Sequence, residues 1–132
     1  PRTGDLLSLM TPISLEPGDF LIAAKDDNRD IFFVESGQLQ VQITGPEGQA
    51  IPVRAMGPGA VVGEVAILLE QPRSADVVAR LPSRVFRLSA DNIARIQSDD
   101  TELAAVFYAV LARSVSLKML QTNALLIHAR KR

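Results

Sequence analysis

The feature that most constrains this chain is a series of short β-prone segments, separated by glycine- and proline-bearing turns, between residues 13 and 88. Within it, Leu39, Val41 and Ile43 alternate with glutamines, so that the three apolar side chains share one face of a strand. The next stretch, residues 45–48, reads Gly-Pro-Glu-Gly and is typical of a hairpin loop. Many short strands at such spacing favour a barrel or jelly roll.

The last third of the chain changes to a helical pattern. Ser89 is a suitable N-cap for a first helix, and Asp99 with Glu102 is an acidic variant of the capping box before a second helix. In the second helix an apolar stripe recurs at Leu103, Val106, Phe107, Val110 and Leu111.

We therefore predict a mainly β fold with helices, in which a double-stranded β-helix (jelly-roll) barrel is followed by a C-terminal helical segment. A chain of 132 residues fits a single domain. The expected parts are a leader at 1–12, the barrel at 13–88 and C-terminal helices at 89–132 that act as a lid.

The composition excludes several classes of function. The chain has no cysteine and a single histidine, His128, so one chain cannot build a zinc–thiolate site, a cysteine nucleophile or a histidine-rich metal site. The 14 Lys and Arg residues are balanced by 15 acidic residues, so no broad basic field is available for nucleic acid. We accordingly expect no enzyme activity, no metal, no resident cofactor and no nucleic-acid partner.

One segment, residues 63–75, carries residue types with a shared chemistry. Gly63 lets the backbone approach a ligand, and a helical turn after it would present free N–H groups to an anion. Arg73 offers a planar fork of donors for phosphate oxygens, and Ser74 adds a hydroxyl. Glu64 is an acceptor, which an anion alone does not need. A cyclic nucleotide has both matching parts, a singly charged phosphodiester and a ribose hydroxyl.

Taken singly, two of these residues have simpler interpretations. Glu64 suits the positive end of a helix dipole. Arg73 could be an ordinary ion-pair arginine, with Glu64 or Glu70 as its partner. The order of residues favours the ligand interpretation, because Gly63-Glu64-Val65-Ala66 followed by Pro72-Arg73-Ser74-Ala75 resembles the phosphate-binding cassette of cyclic-nucleotide-binding domains. Turns at 17–19, 32–37 and 57–59 also resemble that family, and the similarity covers about residues 13 to 128.

The resemblance implies a role for each matching position. Arg73 would hold the cyclic phosphate and Glu64 the 2′-hydroxyl, while the Ser74 hydroxyl and backbone N–H groups complete the phosphate shell. The ligand-binding set is Val62, Gly63, Glu64, Val65, Ala66, Arg73, Ser74 and Ala75. The candidate lid residues of the last helix are Leu120, Asn123, Ala124, Ile127 and His128. The ligand is cAMP or cGMP, and Ser74 does not distinguish them.

The loop at residues 25–30 departs from the family pattern, because the family often places a glycine there. Asn28 is expected to take the left-handed conformation instead. The acidic run from Asp26 to Asp30 has oxygen ligands but lacks the glycine and distal glutamate of a calcium loop. We interpret this run as a solvated loop.

A looser similarity concerns the protein to which this domain is attached. Residues 57–64, 71–75 and the last helix are similar to the cytoplasmic tail domain of some bacterial SulP-type anion transporters. This implies a regulatory module that transmits nucleotide occupancy through its C-terminal helix to a membrane transporter, and that lies on the cytoplasmic side of the inner membrane. Its partners would be a cyclic mononucleotide and the remainder of the parent chain, with a homodimer left open. The alternative is a nucleotide-free interaction or oligomerisation domain with the same fold.

Overall fold

The computed structural model describes residues 3–26, 28–63, 73 and 75–114. The chain begins with helix α1 (Thr3–Ser8) and continues with the strands β1 (Thr11–Leu15), β2 (Phe20–Ile22), β3 (Ile31–Ser36), β4 (Leu39–Thr44), β5 (Ala50–Met56), β6 (Val61–Val62), β7 (Asp76–Ala79) and β8 (Ser83–Leu88). Two helices follow, α2 (Ala90–Asp99) and α3, whose described part covers 101–114. Strand β1 begins two residues before the predicted start of the barrel, because an edge strand tolerates a proline such as Pro12.

The strands form two four-stranded sheets with the orders β1-β8-β3-β6 and β2-β7-β4-β5. Alternation along β3 separates two apolar clusters, since Phe32 and Val34 pack between the sheets whereas Ile31 and Phe33 pack toward the helices. The first cluster fills the barrel and the second attaches the helices to its outside. The predicted mainly β fold, a jelly roll with C-terminal helices, is confirmed.

The helices begin at side-chain caps. The Ser89 hydroxyl accepts from the backbone N–H of Asn92 at 3.2 Å, as predicted for α2. The predicted Asp99 cap of the second helix is wrong by one residue, because Asp99 is the last residue of α2 and the Asp100 carboxylate accepts from Leu103 N–H at 3.0 Å instead. The stripe of α3 is confirmed, with Phe107 at its buried centre. No helix within the described residues is long and apolar enough to cross a bilayer.

The sheet orders place β5 and β6 at the edges of different sheets. The turn at residues 57–60 joins these two edge strands, so the chain passes from one sheet to the other there. Residue 63, the first of the phosphate-binding segment predicted from the sequence, follows β6 directly. The topology therefore puts the candidate site at the open side of the barrel, beside a sheet edge.

Candidate functional site

Gly63 directly follows β6 and adopts a conformation that other residues rarely take, with φ of +97°. A Cβ atom at this position would lie 2.6 Å from Nη1 of Arg73 and 2.9 Å from the backbone oxygen of Asp30. No real Cβ contact is that short, so only glycine leaves space for the guanidinium. In return, the Gly63 carbonyl accepts a hydrogen bond from Arg73 Nη1 at 2.8 Å.

Arg73 is buried, with 6 % of its surface exposed. Its Nη2 donates to Oδ1 of Asn28 at 2.9 Å and to the backbone carbonyl of Asp30. Its backbone is also fixed, because Arg73 N–H donates to Asp26 O at 3.0 Å and its carbonyl accepts from Lys25 N–H at 2.8 Å. The loop between β2 and β3 therefore holds both ends of this arginine.

The charge of Arg73 is poorly compensated. Burial lowers the pKa of Arg73, and the carboxylates of Asp26 and Asp30 partly oppose that shift. An arginine nevertheless stays protonated at any pH at which proteins fold. Its side chain bonds to neutral oxygens in the described structure, and its Nε is buried without a hydrogen-bond partner there. A buried cation with a free donor is suited to an anionic ligand.

Asp30 is the second buried charged residue of the site, 8 % exposed. Its carboxylate accepts from Arg87 Nε at 2.7 Å and from the backbone N–H of Ala90, the first residue of α2, at 2.8 Å. Its own N–H donates to Asn28 Oδ1 at 3.1 Å, the same oxygen that binds Arg73. Asp30 thus contacts Arg73 through its backbone and contacts β8 and α2 through its side chain.

Comparison with known proteins decides the family. The family model described as "Cyclic nucleotide-binding domain" matches residues 12–100, more than half of the chain. The chain belongs to the cyclic nucleotide-binding domain family.

Relatives carry this domain as part of longer chains. The chain is 38 % identical over 77 residues to the acetyltransferase Pat of Mycolicibacterium smegmatis. The aligned residues are 58 % of this chain and 23 % of that protein. It is 27 % identical over 103 residues to the cAMP-dependent protein kinase regulatory subunit of Emericella nidulans. Those residues are 77 % of this chain and 24 % of that protein. The chain therefore spans about a quarter of the length of these curated relatives. The domains of this family are regulatory and not catalytic in the kinase subunit, although other relatives are enzymes.

A solved structure shows the same fold. It is a cyclic nucleotide-binding domain from Methylobacillus flagellatus, with a TM-score of 0.85 and 21 % sequence identity. The match covers 95 % of this chain and 70 % of that one. The agreement extends over the barrel and into the C-terminal helical segment, as the sequence predicted.

The structure brings together part of the predicted site of this cyclic nucleotide-binding domain. Gly63 and Arg73 are in contact, and Val62, 2 % exposed, packs in the barrel core between the sheets. Ala75 is half-buried just before β7. The remaining predicted positions lie outside the described residues and stay predictions, namely Glu64, Val65, Ala66 and Ser74 of the cassette and the lid residues Leu120, Asn123, Ala124, Ile127 and His128.

The loop between β2 and β3 differs from its prediction in two ways. The interpretation as a solvated loop is wrong for Asp30, which is buried by β8 and α2. The left-handed residue is Lys25, with φ of +68°, and not Asn28. Lys25 takes that conformation in a tight turn closed by the bond from Asp26 N–H to Ala23 O, whereas the side chain of Asn28 is used as an acceptor for Arg73. Sequence analysis missed the contacts of Asn28 and Asp30, because no local pattern marks them.

Proposed function

We propose that this domain binds a cyclic mononucleotide, cAMP or cGMP, with its phosphate on Arg73, and that it reports occupancy to the rest of its parent protein. The observation that carries this proposal is the buried guanidinium of Arg73 beside Gly63, which bonds to neutral oxygens and whose Nε has no hydrogen-bond partner among the described residues. A singly charged phosphodiester supplies the missing negative charge and acceptors. Family membership supports the same ligand class.

The direct test is the substitution Arg73→Ala, with nucleotide affinity measured by isothermal titration calorimetry. Loss of one partner of a buried charge pair costs roughly 2–5 kcal/mol, so affinity for cAMP or cGMP falls at least about 30-fold. Arg73→Lys keeps the charge but loses the fork, and we expect an intermediate affinity. The exposed Arg95→Ala on α2 is the matched control and retains wild-type affinity. Unchanged binding by Arg73→Ala would overturn the role of Arg73.

Transmission is proposed to run through the helices. The N–H of Ala90 at the start of α2 bonds to the carboxylate of Asp30, whose backbone contacts Arg73. A ligand on Arg73 can shift the helices only if its affinity differs between two helix positions. Comparing amide hydrogen exchange in α2 with and without saturating nucleotide tests this, and identical exchange would contradict it.

The effector is proposed to be a membrane transporter of the SulP type, with the domain on the cytoplasmic side of the inner membrane. The support is the sequence similarity at residues 57–64 and 71–75. Membrane fractionation of the complete parent protein, followed by anion uptake with and without nucleotide, tests the attachment and the regulation separately. A parent protein found only in the supernatant of that fractionation would overturn the attachment.

A second candidate function is an interaction domain that pairs with another copy and binds no nucleotide. It is favoured by apolar side chains that remain exposed on the β4–β5 hairpin, with Ile43 exposed by 43 % and Val53 by 48 %. Such patches often mark contact surfaces. Sedimentation at several concentrations distinguishes the candidates, because a concentration-dependent mass without any nucleotide binding would favour this one.

A further inference from the structure

The loop between β2 and β3 contains a small hydrogen-bond network centred on the side-chain amide of Asn28. Its Oδ1 accepts from Arg73 Nη2 at 2.9 Å and from Asp30 N–H at 3.1 Å. The Asp26 carboxylate accepts from Nδ2 of Asn28 at 2.9 Å and from the backbone N–H of the same residue at 3.2 Å. Asp26 and Asn28 are exposed, whereas Arg73 is buried. The amide therefore stands between a buried cation and an exposed carboxylate.

Asp26 determines which end of the amide meets Arg73. An ionised carboxylate only accepts hydrogen bonds, and a guanidinium only donates them. The carboxylate therefore takes the NH2 group of Asn28, and the amide oxygen is left for Arg73. The reverse orientation would set two donors against each other at Nη2 and two acceptors against each other at Asp26.

This arrangement keeps negative charge one amide away from the guanidinium. Among the described residues, the Arg73 side chain bonds only to neutral oxygens, one of which belongs to Asn28. The Asp26 carboxylate lies behind that amide, and the Asp30 carboxylate bonds to Arg87 instead. A carboxylate in direct contact with Arg73 would compensate its charge and compete with an anionic ligand.

We propose that Asn28 is a determinant of anion binding, because its amide, oriented by Asp26, holds the Arg73 guanidinium in place and leaves the positive charge for the phosphate of the ligand. This inference rests on the proposed function of the site. An acid at position 28 would hold the guanidinium equally well but would neutralise it. The order of the two residues, acid at 26 and amide at 28, thus decides how strongly the site attracts an anion.

Exchange of the two side chains in the double variant Asp26→Asn/Asn28→Asp tests the proposal. The exchange keeps the net charge, and it allows the same four hydrogen bonds, because an amide at 26 can donate to a carboxylate at 28 and accept from the N–H of residue 28. Only the position of the negative charge changes. We expect the affinity for cAMP or cGMP to fall about 10- to 100-fold in calorimetric titration. The midpoint of urea unfolding stays at the wild-type value or rises, because a buried cation gains a charged partner.

Arg29→Gln is the matched control. Arg29 is an exposed residue of the same loop, and no hydrogen bond joins it to Arg73 in the described structure. Its loss makes the loop more negative without a carboxylate on the guanidinium. Because solvent screens exposed charges, we expect the affinity to change less than about 3-fold.

The outcomes separate this inference from the proposed function. Wild-type affinity in the double variant, or an equal loss in Arg29→Gln, overturns the inference while nucleotide binding by the wild type stands. A loss of affinity together with a lowered midpoint of unfolding also overturns it, because the two residues are then only structural. Absence of binding of both nucleotides by the wild type overturns both proposals.

Discussion

At the scale of single residues, the position of the Arg73 guanidinium depends on the missing side chain of Gly63. Gly63, with φ of +97°, accepts a hydrogen bond from Nη1 on its carbonyl, and the guanidinium occupies the space that a Cβ would need. Asn28 and Asp30 complete the contacts on the other side through Nη2. A buried cation is therefore held before any ligand arrives, which is the preorganisation that tight anion binding needs.

Gly63→Ala is expected to displace Arg73, and Gly18→Ala is its matched control. Gly18 has nearly the same φ, +94°, but apart from its two chain neighbours no described atom lies within 4 Å of the place that a Cβ would take. Both variants carry the left-handed strain of a non-glycine residue, about 1–2 kcal/mol. Gly63→Ala adds a clash with the guanidinium, so its free energy of unfolding falls by roughly 1–3 kcal/mol more than that of Gly18→Ala. Urea denaturation measures both, and equal losses would contradict the dependence on Arg73.

At the scale of elements, Asp30 joins three parts of the fold. It stands directly before β3, pairs with Arg87 on β8 at 2.7 Å, and caps the chain at Ala90 where α2 begins. Ser89 is the N-cap of α2 in the usual sense, so the start of this helix has two separate side-chain acceptors. The helical segment is thereby fixed to the same loop that holds the cassette arginine.

Asp30→Ala is expected to loosen α2 from the barrel. The substitution removes the carboxylate that accepts hydrogen bonds from Arg87 Nε and from Ala90 N–H. We expect the free energy of unfolding to fall by about 2 kcal/mol, a modest value because the Arg87 side chain is half exposed and solvent screens its charge. Asp91→Ala is the control, an exposed acid in the first turn of the same helix, and costs less than about 1 kcal/mol. Hydrogen exchange at α2 amides rises in Asp30→Ala more than in the control. Equal exchange in both variants would show that Asp30 does not anchor the helix.

At the scale of the whole molecule, the two sheets meet at an open side between the edge strands β5 and β6. Residue 63 follows there, and beside it a cavity of about 580 Å³ is lined by β5, β6 and α3. A ligand bound in this place would lie against both sheets and the helical segment together. Binding therefore stabilises the complete fold and not one element alone.

A thermal melt is expected to show this stabilisation. Nucleotide at 100 times its dissociation constant adds about 2.7 kcal/mol if it binds only the folded state. For a domain of this size, that raises Tm by roughly 10 °C. The same melt on Arg73→Ala rises by about 3 °C or less at that nucleotide concentration, because its affinity is at least about 30-fold weaker. A wild-type Tm that no cyclic nucleotide raises would argue for the interaction domain.

The local pattern of the sequence predicted the strands, the Ser89 cap and the apolar stripe of α3. Each of these features depends only on residues that are a few positions apart in the chain. The start of β1 and the cap of α3 shifted by one or two residues, since edge pairing and competing carboxylates decide element ends. The sequence also selected Gly63 and Arg73, which the structure places in contact, because their residue types and order resemble a phosphate-binding cassette.

By itself, then, the sequence determined the jelly roll and its helical segment, and it selected the residues that are proposed to meet a phosphate. Only the tertiary structure decided that Arg73 is buried against Asn28 and Asp30, and that Asp30 is not solvated. These contacts join residues more than forty positions apart in the chain. Strand pairing and sheet closure set them, and no short stretch of sequence contains that information.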